Sequence, residues 1–311
     1  MTNDPRIVTL IGGGGFIGHY VAEALLKRGV RLRVAQRRPK RAHDLQPLGN
    51  VGQVMLMAAD IRNRESIARA VQGADAVVNL VGTFDIGQSE ALHAEGARIA
   101  AEEAAKAGAK AFVQLSAIGA DPHASSVYAS TKGKGEEAVR KAFPGATILR
   151  PSTVFGTEDE FTNRFAQMAG LPILPVIAPA TKFQPVFVRD LAEAIAKAAL
   201  EPETYAGTSF DIGGPEVMTM RQLNEKVAAM AGRDPEIVEV PDFIASGMAS
   251  LGFLPGAPLT RDQWAMLQSD NVCHPDCRGL KAFGVPATAM EDVAPRWLSR
   301  YRSGGRFAVS A

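Results

Sequence analysis

Cysteine is almost missing from this sequence. Cys273 and Cys277 are the only two in 311 residues, too few for a disulfide framework, and the polar opening Met1-Thr2-Asn3-Asp4 carries no apolar h-region behind a basic start. A reducing, cytoplasmic setting is the expectation. An excess of charge of either sign is missing too: Lys and Arg number 34 against 33 Asp and Glu, so nothing calls for nucleic acid or another polyanion as partner. Long apolar runs are also absent. The longest charge-free stretches, Phe165 to Thr181 and Phe243 to Thr260, are broken by Pro and Gly, and neither offers the roughly 20 apolar residues of a transmembrane helix. Peripheral contact with a membrane stays open. Cys273-His274-Pro275-Asp276-Cys277 has metal-ligating residue types but no second ligand pair elsewhere, so no metal is expected.

What is there is a rhythm. Apolar, strand-length runs (Ile7 to Ile11, Leu32 to Ala35, Val54 to Met57, Ala76 to Val81, Ala111 to Leu115, Thr147 to Leu149) alternate with helix-length segments whose apolar residues recur at i, i+3, i+4, as in Val21, Leu25, Leu26 and Ile67, Ala70, Val71. That alternation predicts an α/β fold, a doubly wound parallel sheet of the Rossmann kind. After Arg150 prolines become frequent, and a helix from about Asp190 to Leu200 precedes a strand at Ser209 to Ile212. The expected organisation is a dinucleotide domain over 1–155, with late elements at about 183–215 returning to it. A smaller interleaved lobe takes about 156–182 and 216–311.

Gly12-Gly13-Gly14-Gly15-Phe16-Ile17-Gly18 follows the first strand and opens a helix. It fits G-x-G-x-x-G through Gly13, Gly15 and Gly18, and G-x-x-G-x-x-G through Gly12, Gly15 and Gly18. Glycines there permit a tight turn and a close approach of backbone to a pyrophosphate seated at a helix N-terminus. Where an NAD-binding unit usually ends its second strand on a carboxylate for the ribose 2′-hydroxyl, this chain has Gln36, followed by Arg37 and Arg38. Two guanidinium groups suit a 2′-phosphate, so NADP(H) is favoured over NAD(H); the alternative is a merely solvated basic loop. Asp60 and Ile61 are expected near the adenine, and Leu80, Val81 and Gly82, closing the fourth strand, beside the cofactor.

Ser116 ends the fifth strand, and twelve residues later Tyr128-Ala129-Ser130-Thr131-Lys132 starts a helical pattern. The i, i+4 spacing puts Tyr128 and Lys132 on one face. A phenol that ionises near neutral pH beside an ammonium can exchange a proton with a carbonyl oxygen while hydride moves, and Ser116 can orient that oxygen. The expected catalytic set is Ser116, Tyr128 and Lys132.

With these motifs the chain resembles the short-chain dehydrogenases/reductases of the extended or atypical kind, similar to NAD-dependent epimerases/dehydratases, through Gly12, Gly15, Gly18, Asp60, Ser116, Tyr128, Lys132 and Arg150-Pro151-Ser152-Thr153-Val154-Phe155-Gly156. It is more closely similar to bacterial relatives of the NAD(P)H-binding accessory subunit of respiratory complex I. That likeness is carried by Leu115 to Asp121, Arg150 to Gly156, Val186 to Ala192, Phe210 to Pro215, and Pro255 to Gln263 with Asp270-Asn271-Val272. The resemblance implies cofactor contacts from Lys132, Pro151 and Val154 and a tightly held NADPH, often without demonstrated turnover. It also implies an association with quinone chemistry or the inner face of the inner membrane. One position departs: extended members commonly carry Asn in an N-x-x-G pattern after the fourth strand, and here it reads His93-Ala94-Glu95-Gly96. His93 is then either a substitute relay or, more commonly for a histidine on a packed helix, structural.

Two functions follow as expectations. One is an NADP(H)-dependent oxidoreductase for an apolar carbonyl, alcohol or quinone-related molecule. The other is a non-catalytic, NADPH-stabilised accessory or assembly protein with a respiratory-complex or quinone-pathway partner. The apolar, Gly- and Ser-rich segment Phe243 to Leu254 would line a substrate pocket, touch lipid, or pack within the smaller lobe.

Overall fold

The computed structural model describes residues 6–252 and 259–305. Seven parallel strands form one sheet in the order Ser209–Ile212, β6 (Thr147–Pro151), β5 (Ala111–Leu115), β4 (Ala76–Asn79), β1 (Ile7–Ile11), β2 (Arg31–Gln36), β3 (Val54–Ala58). The chain order reverses between β1 and β4, and a ligand of such a sheet sits outside the carboxyl ends of the strands at that switch. Central strands β1, β4 and β5 are almost wholly buried, which is why they read as continuous apolar runs rather than alternating ones. β4 stops at Asn79, two residues short of the predicted end. There the Asn79 Oδ1 accepts the Val81 N–H at 3.2 Å and its Nδ2 donates to Gln114 at 2.9 Å, so Val81 leaves the ladder.

Helices cover both faces. α1 (Phe16–Leu26) pairs with the helix Val188–Leu200 through Arg28 to Glu193 at 2.6 Å and Arg189 to Glu23 at 2.9 Å. On the other face lie α2 (Arg64–Val71), the run formed by α3 (Ile86–Ser89), the π-helical Glu90–Glu95 and α4 (Gly96–Lys106), and then α5 (Val127–Ala142). The caps are local and readable: Asn63 accepts the Ser66 N–H at 3.0 Å to start α2, and Ser126 accepts that of Ala129 at 3.3 Å to start α5. Ile67, Ala70 and Val71 of α2 meet Ala97, Ala100 and Ala104 of α4 in one buried cluster with Phe112.

The chain divides into two compact units. The first runs through Pro151 and takes in Val188–Ile212 and Asp276–Val285; the second holds Ser152–Phe187, Gly213–Pro275 and the residues from Pro286 onward. Asp276–Val285, a stretch the sequence reading gave to the smaller lobe, belongs to the first unit because Phe283 stacks on Tyr205 at 4.5 Å and its carbonyl accepts from Lys197 at 2.6 Å. Within the second unit, Asn271 ties segments together by accepting from Ser152 Oγ at 2.7 Å and Thr153 N–H at 3.1 Å. Phe155, Leu223, Val227 and Trp297 form its core. The segment around Phe243 is a helix, Asp242–Ser250, that buries Ala245 and Ala249 and leaves Phe243, Ile244 and Leu251 exposed; Phe253 and Leu254, and Pro255 to Pro258 of the similarity stretch, lie outside the described residues. Among the described residues no helix is long and apolar enough to cross a membrane.

Candidate active site

The glycine loop follows β1 without a break. Gly12 has φ of +81°, a conformation that disfavours any side chain, and its N–H donates to Ala35 O at 2.8 Å. A Cβ at Gly18 would lie 2.3 Å from the carbonyl oxygen of Gly13, so the first turn of α1 closes onto the loop only with glycine there. Gly15 starts α1 with no side-chain cap and no acid in the first turn. The N–H groups of Phe16 and Ile17 therefore open a helix whose positive end is not neutralised by the protein, an arrangement suited to a phosphate.

Beside the loop, the Gln36 side chain lies against Gly14, where a Cβ would meet its Oε1 at 2.1 Å, and its amide donates to Arg38 O at 2.8 Å. Arg37 and Arg38 are exposed at the end of β2. Asp60 is engaged by a residue the sequence reading did not pick: Arg62 donates to it from Nε at 3.0 Å and Nη2 at 2.6 Å. That guanidinium, with a smaller contribution from Arg37, holds the Asp60 carboxyl below the usual carboxylate range. Ile61 turns its side chain into the α2/α4 core, which leaves only its backbone for a ligand. Leu80 N–H donates to Ile11 O at 2.9 Å, and Val81 Cγ2 stands 3.0 Å from a Cβ built on Gly12; the two strand ends of the switch point are thus joined.

On α5, Tyr128 and Lys132 share one face as their spacing predicts. The Lys132 Nζ is 5.8 Å from the Tyr128 ring centroid and donates to Leu115 O at 3.2 Å. Burial pulls the Lys132 ammonium down to about 8, opposed by the charge of Glu136. Burial also pushes the Tyr128 phenol up to about 12, above the near-neutral ionisation expected of it, because desolvation disfavours a phenolate. Phe84 stacks on the same ring at 4.8 Å while remaining 69% exposed. Ser116 departs from its expected posture. Its side chain is buried and its hydroxyl donates to Glu136 at 2.6 Å, so that its proton is already committed.

The geometry up to Pro151 lies within residues 8–213, which match the family model described as NAD dependent epimerase/dehydratase family. The chain belongs to that family. Among its relatives is NADH dehydrogenase [ubiquinone] 1 alpha subcomplex subunit 9, mitochondrial, of Arabidopsis thaliana, 34% identical over 96% of this chain and 79% of that protein. Another is a ceramide reductase of Caulobacter vibrioides, 29% identical over 78% of this chain and 76% of that one. In fold the chain is similar to an NADPH-dependent quinone oxidoreductase from Escherichia coli, solved with NADPH, at a TM-score of 0.75 and 21% identity over 94% of this chain and 99% of that one.

Within this candidate site, Glu136 is the principal residue that motif reading missed. It lies one turn beyond Lys132 on the same face, a spacing that could have flagged it. Its carboxylate is buried and accepts from Arg150 Nε at 2.8 Å and Nη2 at 2.5 Å as well as from Ser116. Glu136→Ala is expected to cost about 3 kcal/mol, the low end for a broken buried pair because Arg150 keeps some contact with water. Thermal unfolding should then show a Tm lower by about 5 °C; an unchanged Tm would remove the structural role given to this pair. Pro151 ends β6 and its carbonyl accepts Ile118 N–H at 3.1 Å, whereas Val154 belongs to the second unit and pairs there with Val186. Among the described residues no group of three His, Cys, Asp or Glu is placed to hold a metal.

Proposed function

We propose that this chain binds NADP(H) and reduces a carbonyl on an apolar small molecule, quinone-like rings included, with Tyr128 as proton donor. The observation that carries this reading is the placement of Tyr128 and the buried Lys132 ammonium on one face of α5, with Nζ 5.8 Å from the ring centroid. A phenol held protonated is an acid, and its proton passes to the carbonyl oxygen as negative charge develops there. The reduced nicotinamide supplies the hydride when bound. Lys132 then stabilises the phenolate that remains. The Ser116 hydroxyl, donating to Glu136 at 2.6 Å, has no proton to offer the carbonyl oxygen, which leaves Tyr128 to donate. Phe84, Ile86 and Val127, all exposed on this unit, give the surroundings of Tyr128 an apolar character that suits such a substrate.

NADP(H) rather than NAD(H) is supported by Gln36 in place of a carboxylate, by exposed Arg37 and Arg38, and by Arg62 neutralising Asp60. Arg37→Glu with Arg38→Glu should weaken NADPH binding by at least about tenfold, through repulsion of the 2′-phosphate, with NADH held within about threefold. Fluorescence titration of both nucleotides checks this. Equal losses for both would remove the arginines from cofactor choice.

A second reading is favoured by the relationship, over nearly the whole chain, to a protein named as a subunit of NADH dehydrogenase. In it NADP(H) is a structural ligand, and the chain is an accessory or assembly protein docked peripherally on a respiratory complex at the inner face of the membrane. Incubating NADPH-loaded protein with quinones, ketones and aldehydes while following absorbance of the reduced nicotinamide separates the two. Oxidation supports the reductase; inertness with a large NADPH-dependent rise in Tm supports the accessory protein, since a ligand bound only to the native state stabilises it without turnover.

A further inference from the structure

The run from Ile86 to Lys106 winds as a π-helix over Glu90–Glu95, an irregularity that proteins place mostly at functional sites. His93 lies inside it, 1% exposed, with both ring nitrogens bonded. Thr83 N–H donates to Nε2 at 2.9 Å, so Nε2 carries the lone pair. In the neutral ring the proton is then on Nδ1, which donates to Thr131 Oγ1 at 2.9 Å, and the Thr131 hydroxyl donates in turn to Val127 O at 2.8 Å. Every proton in this chain has one direction, and the chain ends on backbone. The relay reading of His93 is thereby replaced.

We infer that His93 is a positioning residue that builds the nicotinamide end of the dinucleotide site by tethering the Leu80–Thr83 loop to α5. Gly82, next to the tethered Thr83, has its Cβ position 3.4 Å from Lys132 Nζ and 3.8 Å from His93 Nε2. The imidazole edge also meets the Tyr128 ring, with centroids 5.4 Å apart and planes at 87°. One ring therefore sets the separation between the strand end that follows β4 and the helix face that carries Tyr128 and Lys132. The π-turn reaches α5 closely: a Cβ at Gly135 would lie 2.1 Å from His93 O. A second-row tether of this kind fixes geometry in a site without touching the reacting atoms.

The inference rests on the dinucleotide reading, so its test uses two ligands. Adenosine 2′,5′-bisphosphate spans the adenine end alone, while NADPH spans both ends. Titrated into the full chain, His93→Leu should weaken NADPH binding by about tenfold and leave the bisphosphate unchanged. His93→Gln, whose amide oxygen can still accept the Thr83 N–H, should restore NADPH binding to within about threefold of wild type. Thr131→Val, which strands the Nδ1 proton, should give an intermediate loss confined to NADPH, and it serves if His93→Leu does not fold. Equal weakening of both ligands, or no weakening of NADPH, would overturn the tether. Failure of wild type to bind either ligand would instead bring down the dinucleotide reading on which it rests.

Discussion

Gly18→Ala should reduce NADPH affinity by about a hundredfold or more, which corresponds to roughly 2.7 kcal/mol of binding free energy. The reason is local. The new Cβ would sit 2.3 Å from the Gly13 carbonyl oxygen, a backbone atom that cannot rotate away, so either the loop or the first turn of α1 must shift. The donors at Phe16 and Ile17 then no longer converge on the pyrophosphate, and alignment of those N–H groups is what makes a helix start an anion site. Isothermal titration with NADPH measures the loss, and far-UV circular dichroism confirms that the sheet has survived. Retained affinity in a folded Gly18→Ala protein would show that the cofactor is held elsewhere.

Tyr128→Phe should lower the rate of carbonyl reduction by roughly 10²–10⁴-fold, the range for removing a positioned general acid, with NADPH affinity changed by less than about threefold. Phenylalanine keeps the stack on Phe84 and the edge contact with His93, so packing is preserved while the proton is lost. In wild type, reduction should be faster below pH 8 than above it, because Lys132, pulled down to about 8, loses its charge as pH rises. A neutral amine no longer stabilises the phenolate. Pre-steady-state oxidation of bound NADPH across that interval reads both effects. Equal turnover by wild type and Tyr128→Phe would exclude the phenol as the acid.

The sheet was legible because buried parallel strands are apolar runs bounded by turns, and β1 and β5 fall where those runs lie. The glycine loop was legible for a different reason: its residues are fixed by backbone shape, as the φ of Gly12 shows. The face shared by Tyr128 and Lys132 follows from helical spacing alone. Side-chain direction did not follow from such rules. Ser116 occupies the strand end where it was expected, yet its hydroxyl turns to Glu136, a partnership set by Arg150 arriving from β6. The π-turn had no signature beyond the replacement of Asn by His93, since its effect depends on Thr83 and Thr131, ten and 38 residues away. The early end of β4 hung on one side-chain bond from Asn79. Non-local polar pairing of this kind is invisible to periodicity, which sees only which face is apolar.

In the proposed function, Gly12 to Gly18 hold a phosphorylated dinucleotide, and Arg37 and Arg38 select it. The most direct measurement is mass spectrometry of the nucleotide released when the full chain, purified without added cofactor, is denatured. NADP(H) in near-equimolar amount is the expected result; release of NAD(H), or no nucleotide from a protein that also fails to bind added NADPH, would contradict that assignment.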